Sequence, residues 1–406
     1  MIWSVSWRNV WRSKTRSTVI ISAIALGVFA GVYTIAFMVG WVNQRINAVI
    51  NTEISHIQIH HPEYLETNDV HNFIPDIKNI QSSIKEMQNV EAVSQRVLST
   101  CMVSSAETGS GIQLVGINPE NEQKVTNIHE KIVDGSYFQD SKNNQIVIGK
   151  KLAGKLKVKV RSKVVVTMTE MDGTLTGGAF RVAGIYQTAN SAYDEMKAFV
   201  RSSDLKKLIK IDQSAGHELA ILLKENNIED KLAKKLESEY PELKVMTWTE
   251  IMPDMKMMNE SMNLMMYFFV VIILLALGFG IVNTMLMVIL ERVKEIGMLM
   301  AVGMNKLRVF SMILLETIYL SLTGGIIGIV LAVVLTAITN KTGLDLSIWG
   351  EGLNSLGFEA VIYPEIGFEV VIMVTLLVVL TGILAAIYPA RKAIKLNPAD
   401  ALRIEM

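Results

Sequence analysis

Residues 17–41 read STVIISAIALGVFAGVYTIAFMVGW, twenty-five positions without a charged side chain. About 20 apolar residues in a helix, at ~1.5 Å rise each, cross a bilayer. The stretch therefore reads as a transmembrane helix. Three more follow much later, at Leu264–Leu290, Ser311–Thr339 and Gly367–Pro389. Between the first and second lies a long, polar, mixed-charge region. The expected fold class is an α-helical membrane protein with four transmembrane helices. An α+β extracytoplasmic domain is inserted between helices 1 and 2.

Composition supports that division. Half of the 406 residues are hydrophobic, yet the chain carries 39 basic and 39 acidic side chains. Zero net charge here averages two populations and points to no partner; nucleic acid is not expected. The single cysteine, Cys101, excludes an intrachain disulfide framework and a cysteine-based zinc site. A domain of about 220 residues can hold itself together by its own core. The first span is too long for a signal-peptide core and no small-residue cleavage site closes it, so a retained anchor is expected.

Charge bias sets the expected orientation. Arg8, Arg12, Lys14 and Arg16 precede the first span. Arg292, Lys294, Lys306 and Arg308 lie between the second and third, and Arg391, Lys392, Lys395 and Arg403 follow the fourth. The loop between spans three and four holds Lys341 against Asp345, Glu351, Glu359 and Glu365. The positive-inside rule then places both termini in the cytoplasm, and the insert and acidic loop outside.

The expected organisation runs in order. An amphipathic cytoplasmic helix spans 1–16, with Trp3, Trp7 and Trp11 on one face at the membrane interface. The competing reading is an aromatic belt with no separate helix. Transmembrane helix 1 covers 17–42 and the extracytoplasmic domain 43–263. Helix 2 covers 264–290, a cytoplasmic segment 291–310, and helix 3 residues 311–339. A loop at 340–366, helix 4 at 367–389 and a cytoplasmic tail at 390–406 complete the chain.

Within the insert, alternation at residues 54–60 predicts a half-buried strand with His56, Gln58 and His60 facing solvent. A strand–helix–strand rhythm opens the insert, and Glu218–Leu223, Ile228–Tyr240 and Lys244–Trp248 repeat it. Together they suggest a split βαβ, ferredoxin-like subdomain. A β-rich subdomain at about 118–200 is inserted between the two halves.

Candidate chemistry is sparse. No Walker A loop, GxxxxGK[ST], occurs, so the chain cannot hydrolyse ATP by that route. His56 and His60 on one strand sit roughly 13 Å apart, too far to share an ion, and no metal site or catalytic residue is expected. Met255, Met257, Met258, Met262, Met265 and Met266 cluster before span two. Helix packing is their first reading. The second is an adaptable surface for a greasy substrate, for which Met258, Met262, Met265 and Met266 are the candidates. Asn283 and Glu316 are polar positions within spans, and Glu316 is expected to pair with Lys306 or Arg308. Gly278 and Gly280, with Gly324, Gly325 and Gly328, allow close helix packing. Residues 291–306 read as a short charged-then-apolar helix ending near Gly303, suited to pass force from a cytoplasmic partner to two spans.

At these residues the chain resembles the permease subunits of the MacB/LolE/FtsX superfamily of ABC transporters. Four stretches carry the resemblance: Trp7–Lys14; Gly280–Met285 leading through Glu291-Arg292-Val293-Lys294-Glu295-Ile296-Gly297; Ala301-Val302-Gly303; and Tyr388–Ala393 with Asn397–Arg403. Residues 55–60 and 180–186 are most similar to the lipoprotein-releasing branch. The resemblance implies an ATPase-coupling helix carrying Glu291, Arg292, Lys294, Glu295, Ile296, Gly297, Ala301 and Gly303. It also implies a homo- or heterodimer of permease chains with two copies of an ABC ATPase. ATP and magnesium would sit in that partner, and no cofactor in this chain. The expected location is a bacterial inner membrane, and the expected work is mechanotransmission that extracts lipoprotein or another amphiphile. A periplasmic adaptor is a further candidate partner. The alternatives are efflux of a drug, peptide or toxin, and FtsX-like signalling to a cell-wall hydrolase. One departure is Lys155–Ser162, where relatives usually carry glycines before the next strand.

Overall fold

The computed structural model describes residues 2–12, 14–138, 143–226 and 228–395. The closing stretch Asn397–Arg403 named above lies outside them. Two compact units emerge, one of residues 1–43, 259–345 and 361–406, the other of 44–258 and 346–360.

The first unit is helical. Its N-terminal helical residues are described over Ile2–Arg12, and helical residues resume at Lys14. Four helices are long and apolar enough to cross a membrane: Ser17–Ile54 with its terminal π turn, Pro253–Glu291, Lys306–Thr342 and Phe368–Ile394. They share one apolar core that includes Ile24, Val28, Ile281, Met285, Leu320 and Val378. Glycine sets the closest approach. A Cβ added at Gly324 would lie 2.8 Å from the Cβ of Ile24, and one at Gly328 2.9 Å from that of Val28. A side chain at either position would push spans one and three apart. Gly280 has open space instead.

The second unit is α+β. Its strands are β1 (Ile57–His60), β2 (Val90–Ser104), β3 (Gly109–Ile117), β4 (Ile132–Gly135), β5 (Gln145–Gly149), β6 (Lys163–Thr169), β7 (Leu175–Tyr186), β8 (Lys197–Arg201), β9 (Glu218–Leu223) and β10 (Lys244–Thr247). They form one sheet in the order β10-β1-β9-β2-β3-β8-β5-β7-β4, with β6 pairing β2 and β7. The run β10-β1-β9-β2 is antiparallel throughout, and helices Ile77–Lys85 and Glu229–Glu239 bury their apolar sides on one of its faces. That is the ferredoxin-like arrangement of two βαβ halves. The 15-residue β2 pairs β9 through its first half and β3 through its second. The β-rich part is therefore continuous with the ferredoxin-like part through one shared strand.

One expectation is corrected here. His56, Gln58 and His60 do not face solvent; all are at most 5% exposed. The period-2 pattern is present, with Ile57 and Ile59 facing the two helices. The opposite face is covered as well, by the π turn Val49–Ile54 and helix Pro119–Val125. The polar side chains are satisfied internally. Gln58 Nε2 donates to the Ile54 carbonyl (2.8 Å), and His60 Nε2 meets Gln58 Oε1 (3.0 Å).

At the departure noted in the sequence, Lys157 (φ 53°) and Arg161 (φ 73°) occupy left-handed backbone. That conformation is natural to glycine and costs a side-chain-bearing residue roughly 1–2 kcal/mol.

Candidate functional site

The helix Pro253–Glu291 stops at Arg292, and a separate nine-residue helix, Val293–Ala301, follows. Its inner face buries Val293, Ile296 and Gly297. Its outer face leaves Lys294 and Ala301 exposed, together with Met298 at 57%. Gly303 then turns the chain with φ +96°, and Asn305 caps the third span by accepting from the Leu307 amide (3.1 Å).

Arg292 ties this break to its surroundings. Its Nε donates to Glu295 Oε2 (2.9 Å) and its Nη1 to Glu316 Oε2 (3.0 Å). The other oxygen of Glu316 accepts from Asn9 Nδ2 of the N-terminal helix (2.6 Å), and Arg12 of the same helix pairs with Glu295. Ser6 adds a bond to the Met312 carbonyl (3.2 Å), and Trp7 sets its ring edge-on to Tyr319 at 5.2 Å. Five polar side chains from three helices and the break before the second of them thus form one cluster. Burial works against the Arg292 charge, but Glu316 and Glu295 outweigh it and hold the guanidinium pKa above its ordinary value. Burial likewise raises Glu295, and Arg292 and Arg12 more than reverse this.

The partner expected for Glu316 is corrected. Lys306 and Arg308 precede it by ten and eight residues on one helix, which is ~15 and ~12 Å of rise. Arg292 reaches it across the chain reversal instead.

Other expected site residues separate. Trp3, Trp7 and Trp11 lie on the exposed side of their helix at 67, 45 and 42%. Met258, Met262 and Met266 follow at intervals of four along one helix and are half-buried, while Met265 is exposed. Met266 packs on the transmembrane core and Met255 on the core around Trp248.

A cluster that the sequence did not reveal lies in the second unit. Arg96 on β2 bonds Glu122 Oε1 (2.7 Å) and Glu218 Oε1 on β9 (2.6 Å). Ser94 completes Glu122 (2.6 Å). Arg96 is fully desolvated, which lowers its pKa, but the two carboxylates raise it further than burial lowers it. His217 beside them is pushed down to about 4 by burial. Its Nδ1 accepts from the Leu98 amide (3.2 Å) and its Nε2 meets the Val70 carbonyl (3.0 Å), which requires the neutral ring.

Four spans, one large insert and a short helix at the second reversal define a multi-pass permease. A profile for the MacB-like periplasmic core domain matches residues 17–239, and one for the FtsX-like permease C-terminal matches 267–398. The chain belongs to the MacB/LolE/FtsX superfamily of ABC transporter permeases. It is 26% identical over 310 residues to the lipoprotein-releasing system transmembrane protein LolC of Xylella fastidiosa, covering 71% of this chain and 72% of that one. It is 23% identical over 337 residues to LolE of Haemophilus influenzae, covering 80% of each. A shorter match, 31% over 163 residues, reaches the macrolide export ATP-binding/permease protein MacB of Bdellovibrio bacteriovorus, covering 40% of this chain and 22% of that protein.

Proposed function

We propose that this chain is the non-catalytic permease subunit of a lipoprotein-extracting transporter, with helix Val293–Ala301 docking a separate ABC ATPase. The observation that carries this reading is the cluster around Arg292. It fixes the start of the short helix to the N-terminal helix and the third span, while Met298 and Lys294 stay exposed for a partner. A push on that helix is then passed to both.

In this reading the basic flanks lie in the cytoplasm and the α+β domain lies outside a bacterial inner membrane. Two permease chains, alike or different, work with two ATPase copies, which hold the ATP and magnesium. ATPase closure moves the spans, and the outer domain draws lipoprotein or another amphiphile from the outer leaflet. The half-buried methionines Met258, Met262 and Met266 offer a soft apolar surface near the exit of span two. The span of the match to LolC and LolE favours lipoprotein over drug efflux.

Depletion of the chain tests the substrate. Lipoproteins retained in the inner membrane support the reading. Altered drug or peptide sensitivity without retention points to efflux, and division or shape defects alone point to hydrolase control. Replacing Glu291 or Glu295 tests the coupling, and the expected result is reduced ATPase activity or assembly of the complex.

A further inference from the structure

Arg308 is exposed, with no carboxylate partner among the described residues. It lines a groove of about 750 Å³ between the N-terminal helix and the start of the third span. Val5, Leu314 and Leu315 supply apolar lining, and Ser311 and the exposed Trp3 line it as well. The third-span helix is 37 residues long and starts at Lys306, so its first turn adds partial positive charge where Arg308 stands. Lys306, at the start of the same helix, is exposed as well.

We propose that this groove is a binding site for one anionic phospholipid, with an acyl chain against Leu314 and Leu315 and the phosphate on Arg308. The chemistry matches both halves of such a ligand. An apolar trough suits the chain, and an exposed guanidinium in the first turn of a helix suits the phosphodiester. Trp3 belongs at headgroup depth, where indoles concentrate. Bound lipid would bridge the N-terminal helix and the third span, so the leaflet's anionic lipid content would set how firmly that helix is held.

Native mass spectrometry of the detergent-purified full chain tests this, by titration with phosphatidylglycerol or phosphatidylcholine of identical acyl chains. Phosphatidylglycerol is expected to be retained about fivefold better, the factor equivalent to the ~1 kcal/mol that one basic residue contributes at an anionic surface. Arg308→Ala should abolish the preference and Arg308→Lys should keep it. Leu315→Trp, which fills the groove without touching the charge, should lower retention of both lipids and decides the matter if Arg308→Ala does not fold. Equal retention of the two lipids by the native chain overturns the proposal, as does unchanged retention in Leu315→Trp. Arg308→Ala that weakens ATPase binding while leaving the lipid preference intact also overturns it.

Discussion

Replacing Arg292 by methionine keeps most of the side chain's length and removes its charge. At 3.0 Å and an effective dielectric near 20, the attraction between Arg292 and Glu316 is about 5.5 kcal/mol, part of which burial takes back. The single substitution leaves Glu316, whose side chain is 5% exposed, without a countercharge, and should cost ~3–5 kcal/mol. Glu316→Gln should cost less, about 1–3 kcal/mol, because Arg292 keeps Glu295. The double variant Arg292→Met/Glu316→Gln should be more stable than the two losses added together. A coupling energy above ~1.5 kcal/mol is expected from thermal or denaturant unfolding of the purified full chain in detergent. A value below ~0.5 kcal/mol would mean that the two side chains act independently, and the cluster would then not be the joint described above.

Three further outcomes follow from the second unit. Arg96→Met should lower stability by ~3–5 kcal/mol, because Glu122 and Glu218 are left buried and facing each other; loss of the thermal transition's cooperativity in the full chain is the readout. His217 has a folded pKa near 4, below its unfolded value of about 6.5. Its stabilising effect is fully present above pH 6.5 and is lost as pH falls towards 4, by up to ~3 kcal/mol. His217→Gln should flatten the fall in Tm over that window, and an unchanged slope refutes the assignment. Lys157→Gly should raise stability by ~1 kcal/mol by relieving the left-handed backbone, whereas Lys157→Val should lower it.

Much of the architecture is legible because it rests on local periodicity. Four long apolar runs mark the spans, and the apolar run of Glu218–Leu223 marks β9 residue for residue. What was not legible depends on which elements meet. Alternation at 56–60 identifies a strand and its two faces, but it cannot reveal that the helix at 119–125 and the π turn cover the polar one. The Arg96 cluster draws on β2, β9 and a helix far apart in sequence, each contributing one charge that reads alone as a surface residue. Glu316 stood out as a charge within a span, yet sequence proximity favoured Lys306 or Arg308 on the same helix. Helical rise removes both from reach, and the chain reversal brings Arg292 to it. The short helix after Arg292 was readable from its charged-then-apolar pattern, but its attachment to Arg12, and through Arg292 to Glu316, was not.

The central claim is that helix Val293–Ala301 receives the ATPase. Cys101 is the single cysteine, so a Cys101→Ser background permits one-site crosslinking. In that background, Met298→Cys on the short helix and Trp349→Cys in the segment between spans three and four place exposed thiols in the two connections that flank the third span in sequence. With the full chain co-purified with its ABC ATPase, a short bifunctional crosslinker should join the ATPase to Met298→Cys and not to Trp349→Cys. A crosslink from Trp349→Cys, with none from Met298→Cys, would contradict both the coupling role and the orientation.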